Sequence, residues 1–174
     1  MKSLITRIAF CTSLFITATF TLSTGWASEH EHQKPLIKIK VLLTEMSFQV
    51  EGLPEGAPLV LQAGERYKLI FENVGVVMHE VLLGRGLISN HGDHNYQEHM
   101  LADTPLILTG SSIVDGKKRI FAVDVNGFEE FELDPGLRLS LLVSIPETAR
   151  GVWELGCFAA GHHEAGMFLP VLVQ

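Results

Sequence analysis

The chain has 174 residues, 47% of them hydrophobic and only 19% charged, with a net charge of −7. This length suits one packed domain, and the acidic balance argues against nucleic acid as a partner. Two cysteines, Cys11 and Cys157, are too few for a disulfide framework.

The first 27 residues have the pattern of a secretory signal. Lys2 and Arg7 form a basic start, an apolar and Thr-rich run covers residues 8–22, and small residues end at Ala27. An uncleaved anchor is the weaker alternative, because a membrane span needs roughly 20 apolar residues. We therefore expect export to the periplasm, with the protein soluble or, if residues 1–27 are retained, anchored at the outer face of the inner membrane.

Cleavage after Ala27 changes the chemistry of the remaining chain. It removes two basic residues and no acidic one, so the net charge becomes −9, with 11 basic and 20 acidic residues. Cys157 is then the only thiol, and a lone exported thiol is open to oxidation unless it is buried or metal-bound. Residues 28–35 are expected to form a flexible tail that carries His30. With a free N-terminal amine, His30 could bind Cu(II) or Ni(II), although a solvated tail without a metal is the favoured interpretation.

From residue 36 to the end, short apolar or alternating runs are separated by turn residues. They predict strands at residues 36–43, 59–62, 67–73, 78–83, 106–108, 111–114, 119–125, 128–133, 137–143, 151–157 and 167–173. Asp115-Gly116 and Asn126-Gly127 stand between consecutive runs and favour two-residue hairpin turns. Residues 86–104 break the spacing and predict a long loop, with a helical turn near residues 95–101. The whole pattern predicts an all-β antiparallel sandwich or barrel in one domain.

The C-terminal segment brings together three side chains that bind soft metals. Cys157, His162 and Met167 follow one another with four residues between each pair. Thiolate and thioether ligands select copper, and imidazole suits it too. Strand alternation turns Cys157 toward the core, and it also turns His79 inward on a distant strand. These two side chains could therefore meet at one end of the sandwich.

This pattern resembles the cupredoxins, the plastocyanin/azurin-like family of type 1 blue-copper proteins. The resemblance rests on residues 71–75 leading to His79 and Glu80, and on residues 151–157 with the Gly-His and Gly-Met pairs of the loop 161–167. It covers most of residues 36–174 and implies an antiparallel Greek-key β-sandwich with one long loop insertion.

The resemblance also implies one type 1 copper ion. His79, Cys157 and His162 would form a trigonal set, with Met167 as the weak axial ligand. Each of these side chains could singly be a structural core residue, and His163 is the alternative to His162, with His163 expected to be exposed. A dinuclear centre would need a second cysteine, and structural zinc prefers four strong ligands.

Two features depart from the family. Glu80 stands where many relatives have Asn, so the hydrogen bond toward the thiolate could come from Asn73 instead. His163 adds a titratable group beside the site, which predicts a pH-dependent reduction potential.

The segment between His79 and Cys157 is longer than in small cupredoxins and contains His91, His94 and His99. These histidines could form a second copper-loading site, although a solvated loop is the favoured interpretation.

These observations predict a monomeric electron carrier rather than an enzyme. It would pass single electrons between redox proteins, such as a cytochrome or a terminal oxidase of a respiratory chain, with His162 as the exit point. The acidic charge would steer it toward a basic partner. The alternative is a copper chaperone, storage or resistance protein, which the additional histidines favour.

Overall fold

The computed structural model describes residues 35–90 and 93–174, which form twelve strands and one 3-10 turn. The strands are β1 Leu36–Leu43, β2 Phe48–Val50, β3 Leu59–Leu61, β4 Arg66–Asn73, β5 His79–Asn90, β6 Asp93–His99, β7 Leu101–Val114, β8 Lys117–Phe128, β9 Glu130–Leu133, β10 Arg138–Ser144, β11 Gly151–Gly156 and β12 Phe168–Val173. The 3-10 turn is Glu147–Ala149. Within the described ranges, no helix has the length and apolar character of a membrane span. The predicted signal, His30 and His91 lie outside these ranges.

The strands form two sheets. The first has the order β2-β1-β4-β10-β7-β8, and the second has the order β3-β12-β11-β5-β6 with β9 beside β5. Neighbouring strands are antiparallel except for two parallel pairs, β1 with β4 and β12 with β3. Apolar side chains from both sheets form a common buried core, which confirms the all-β sandwich.

Alternation along two strands of the second sheet positions the predicted ligands. On β11, Trp153 and Leu155 are buried, as is Cys157 directly after the strand, whereas Val152 on the opposite face is exposed. On β5, His79 is buried with the alternate residue Val81. Both ligand side chains therefore point into the sandwich, as the sequence predicts.

The predicted long loop at residues 86–104 is wrong, because the described residues of this segment, 86–90 and 93–104, lie almost entirely in strands. β5 continues to Asn90 and pairs antiparallel with β6, and residues 95–101 are extended rather than helical. β6 is an edge strand whose residues are mostly polar, so it lacks the apolar alternation that reveals a strand. Tyr96 within β6 and Met100 directly after it are buried. Their spacing of four residues resembles a helical period.

The predicted hairpin turn at Asn126-Gly127 is also wrong. β8 runs through both residues and pairs with β7 as far as Phe128, and the register shifts between the pairs at Leu101 and Pro105. Gly127 has a φ of 99°, and a Cβ atom there would lie 2.0 Å from the Ala102 carbonyl oxygen. The dipeptide thus marks an irregular pairing just before the chain leaves the first sheet, since β9 pairs with β5 of the second.

The other predicted hairpin is confirmed. Asp115 and Gly116 connect β7 to β8 with φ angles of 52° and 71°. Positive φ at both central positions is the geometry that Asp-Gly turns favour.

Candidate metal centre

Two strand ends and one loop deliver the four predicted ligands. His79 begins β5, Cys157 follows β11, and Met167 precedes β12. The loop between Cys157 and Met167 is closed by its own backbone, because the Cys157 N–H donates to the Met167 carbonyl at 3.2 Å. The Met167 N–H donates in turn to the His162 carbonyl at 2.9 Å. These two hydrogen bonds close the loop that carries the ligands.

The three strong donors converge on one point. The Cys157 sulfur lies 3.3 Å from Nδ1 of His162 and 3.9 Å from Nδ1 of His79, and the two Nδ1 atoms are 3.3 Å apart. A point equidistant from three such atoms lies about 2.0 Å from each, close to the bond lengths of a first-row metal with imidazole and thiolate ligands. In the described part of the chain, this is the one set of three His, Cys, Asp or Glu donors close enough to share an ion.

The burial of these residues agrees with a type 1 arrangement. Cys157, His79 and Met167 are fully buried, whereas His162 is only partly buried. Met78, the other thioether near His79, is half-buried before β5. The four predicted ligands are therefore arranged like a type 1 copper site, with one imidazole near the surface.

Burial shifts the pKa values of two ligands in opposite senses for metal binding, favourably at His79 and unfavourably at Cys157. Burial lowers the pKa of His79, and the nearby His162 lowers it further, against a smaller opposing effect of the Thr44 backbone. Neutral imidazole is the form that binds metals. Burial raises the pKa of the Cys157 thiol, whereas the backbone amides of Ala159 and Glu80 favour the thiolate. A bound cation reverses the effect of burial, because a coordinating thiol is deprotonated.

The predicted hydrogen bond from the Asn73 side chain toward the thiolate is wrong. Its side-chain nitrogen donates to the carbonyls of Val77 and Leu133, both at 2.7 Å, and its oxygen accepts the Gly75 N–H at 3.0 Å. The amide group is therefore occupied, and it does not reach the thiolate. It fixes the segment that leads into His79, and the backbone N–H of Glu80 approaches the sulfur instead.

His163 is not the exposed residue that the sequence predicts. Its side chain is 12% exposed, and its Nε2 lies 2.9 Å from Oε1 of Glu154. Tyr96 donates to the same oxygen at 2.7 Å, and burial together with Glu154 raises the pKa of the Tyr96 hydroxyl. Because His163 is engaged there, the structure supports His162 as the ligand. The predicted effect of His163 on the reduction potential stays a prediction.

Sequence reasoning missed Tyr96 and Glu154. Neither residue belongs to the pattern of regularly spaced ligands, and Glu154 lies on the outward face of β11. Gly84 and Gly156, inside strands, were the available signal, because glycine within a strand often marks a close approach of another group.

The histidines of β6 do not form a second site of three donors among the described residues. Nε2 of His94 lies 2.6 Å from Oε1 of Glu164, and its ring packs near Phe158 at a centroid distance of 5.9 Å. His99 lies against the Tyr96 ring. His94 therefore packs over the ligand loop and His99 packs against β6, so neither belongs to a solvated loop.

The solved structures with a similar fold include copper proteins. The McoA multicopper oxidase from Aquifex aeolicus is 15% identical over 81% of this chain and 29% of its own, with a TM-score of 0.51. The Campylobacter jejuni multicopper oxidase, described as a metallo-oxidase, is 15% identical over 79% of this chain and 29% of its own, with a TM-score of 0.50. A rusticyanin variant is 12% identical over 80% of this chain and 78% of its own, with a TM-score of 0.50.

This chain thus spans less than a third of the length of those two oxidases. No protein-family model matches it, and no curated protein matches it either. The two-sheet topology and the structural neighbours together show that the chain has the cupredoxin fold.

Proposed function

We propose that this protein binds one copper ion through His79, Cys157, His162 and Met167 and carries single electrons between redox proteins. The observation that carries the proposal is the triangle of donor atoms from His79, Cys157 and His162, with separations of 3.3, 3.3 and 3.9 Å. Copper supplies the one-electron couple when it is bound.

The chain's own residues favour this function over simple metal storage. The thiol is enclosed and is approached by two backbone amides, from Ala159 and Glu80. Asn73 holds the segment before His79, and the backbone of the loop holds His162 and Met167. A frame that keeps the ligands in place allows a change of charge with little rearrangement, which favours electron transfer.

The surface around His162 suits a transient redox partner. Phe168 directly follows Met167, and Val74 and Val76 lie in the segment before His79; all three are exposed apolar side chains, and Gly161 beside His162 is exposed as well. Small apolar contacts of this kind are typical of weak electron-transfer complexes. We propose that electrons leave through His162.

Acidic side chains surround the same end of the sandwich. Glu80 lies close to Glu130 and Glu132, and its pKa is raised by burial and by their negative charges. Glu45 interacts electrostatically with His79, and Glu164 lies in the ligand loop. This distribution supports a basic partner, such as a cytochrome or a terminal oxidase of a respiratory chain. We propose that the protein meets this partner after export.

The visible spectrum of the copper-loaded protein tests the proposal. An intense thiolate-to-copper band that bleaches on reduction and returns on oxidation is expected, and Cys157→Ser should abolish it. A colourless protein that binds only Cu(I) would overturn electron transfer and support copper handling. A copper protein with the band that oxidises an added substrate and reduces oxygen would instead indicate an enzyme.

A further inference from the structure

Two strand glycines leave space for one tyrosine of β6. A Cβ atom on Gly84 would lie 2.5 Å from the Tyr96 ring, and one on Gly156 would lie 2.2 Å from the Tyr96 hydroxyl oxygen. Real Cβ atoms do not approach other atoms this closely. Tyr96 therefore lies across β5 and β11, and its hydroxyl ends above the residue that precedes Cys157.

The hydroxyl connects β6 to the ligand loop through one carboxylate oxygen. Tyr96 donates to Oε1 of Glu154 at 2.7 Å, and Nε2 of His163 lies 2.9 Å from the same atom. An ionised carboxylate only accepts, so both neighbours act as donors. Tyr96 is 4% exposed and the His163 side chain is 12% exposed, whereas the Glu154 side chain is 31% exposed. The chain of contacts ends at His163, the neighbour of His162.

The other end of the loop is contacted as well. The ring of Phe158, the neighbour of Cys157, lies 4.9 Å from the Tyr96 ring and 4.9 Å from the His163 ring, measured between centroids. Both distances fall in the range of favourable aromatic pairs. Tyr96 is therefore linked to the residues adjacent to two predicted ligands, Cys157 and His162.

We propose that Tyr96 is a positioning residue for the copper-ligand loop, acting through Glu154, His163 and Phe158. The β5–β6 extension, defined as β6 with the paired part of β5 from Gly84 to Asn90, would then restrain the loop from outside the sandwich. This inference rests on the proposed function only for its consequence at the metal. The restraint itself is a property of the metal-free chain.

The restraint has two measurable consequences. A loop held through both flanks opens rarely, so a chelator that must wait for opening removes copper slowly. The Cys157–copper–His162 geometry is also kept within narrow limits, and the visible and electron paramagnetic resonance spectra report that geometry. Removal of the tyrosine hydroxyl weakens the restraint without removing a ligand.

The matched experiment uses the protein's two tyrosines. Tyr96→Phe removes the hydroxyl that binds Glu154. Tyr67→Phe is the control, because Tyr67 lies on β4 of the first sheet, is 3% exposed, and accepts the Gln62 N–H with its hydroxyl at 2.9 Å. For Tyr96→Phe, we expect copper release to EDTA to accelerate about tenfold, the factor that corresponds to one charge-assisted hydrogen bond. The copper hyperfine coupling should also change. Glu154→Gln keeps an acceptor for Tyr96 and should give an intermediate release rate.

Amide hydrogen exchange in the metal-free protein separates this inference from the proposed function. Tyr96→Phe should speed exchange at the Met167 and Cys157 amides, which close the loop, whereas Tyr67→Phe should not. Faster exchange supports the inference even if the protein binds no copper. Unchanged exchange, or release and spectra that match those of Tyr67→Phe, would overturn it.

Discussion

The β5–β6 extension and the β7–β8 hairpin are both long two-stranded segments, yet they relate differently to the sandwich. The β5–β6 extension buries Tyr96 across two neighbouring strands and contacts the ligand loop. The β7–β8 hairpin ends in Asp115-Gly116, and its Ile120 and Phe121 are 66% and 53% exposed. Backbone pairing is extensive in both, so the difference lies in what the side chains contact.

This comparison shows that strand pairing alone does not connect an extension to function. At the β5–β6 extension, Gly84 of β5 and Gly156 of β11 leave space for Tyr96, whose hydroxyl binds Glu154 next to the ligand loop. In the β7–β8 hairpin, Gly110 also lies under an aromatic ring, because a Cβ atom there would lie 2.1 Å from Phe121. That ring faces solvent rather than a site.

Truncation of the two aromatic residues should give the largest contrast. Tyr96→Ala removes a buried ring and leaves Glu154 with one fewer donor, so it should lower the free energy of unfolding by about 3 kcal/mol or more. Phe121→Ala removes a half-exposed ring and should cost less than about 1 kcal/mol. Urea unfolding of the metal-free variants measures both costs. Equal costs would contradict the contrast.

The two glycines beneath these rings provide a second, smaller contrast. In Gly156→Ala the new methyl group meets the buried and hydrogen-bonded Tyr96, so overpacking should cost about 1–3 kcal/mol. In Gly110→Ala the ring of Phe121 can rotate toward solvent, so the cost should be smaller. Only Gly156→Ala should alter the spectrum of the copper-loaded protein. A normal spectrum for Gly156→Ala would indicate that the loop tolerates displacement of Tyr96.

Sequence reasoning identified the inner part of the site better than its surroundings. Cys157, His162 and Met167 lie in one loop, so their spacing alone indicates a shared metal. The resemblance to the cupredoxins adds His79 to this set, and strand alternation agrees because it turns His79 inward. The structure brings its Nδ1 to the same point.

The parts that could not be predicted depend on contacts between distant strands. Tyr96 meets Glu154 across 58 positions of sequence, and no local pattern encodes that pairing. The turn at Asn126-Gly127 was mispredicted because Asn-Gly chemistry also suits an irregular strand pairing, and the competing partner, β5, lies far away in sequence. Edge strand β6 was missed because its polar residues carry no alternation.

An ion-pair cluster across β1, β4 and β10 predicts a modest dependence of stability on acid pH. Burial acts to raise the pKa of Glu72, but hydrogen bonds from Lys40 and Arg138 outweigh it, so the pKa lies below the usual 4.5. The contribution is therefore present above pH 4.5 and is lost as the pH falls through the lower folded-state pKa. Because the pair is partly exposed, it should be worth at most about 1 kcal/mol.

Glu72→Gln tests this contribution. The variant should be less stable than the wild type at pH 7, and the difference should vanish in strongly acidic solution. Urea midpoints measured from pH 7 downward provide the comparison. A constant difference across that range would show that packing of Glu72, rather than its charge, is responsible.

The smallest effect is expected at the exposed end of the β7–β8 hairpin. Ile120→Thr keeps a β-branched side chain that suits a strand, and it removes apolar surface that is already 66% exposed. The free energy of unfolding should therefore change by no more than about 0.5 kcal/mol, and the copper spectrum should not change at all. Solubility should rise, because exposed apolar side chains on an edge strand promote association between chains. A loss of stability comparable to that of Gly156→Ala would mean that Ile120 is covered in solution. The β7–β8 hairpin would then be packed like the β5–β6 extension.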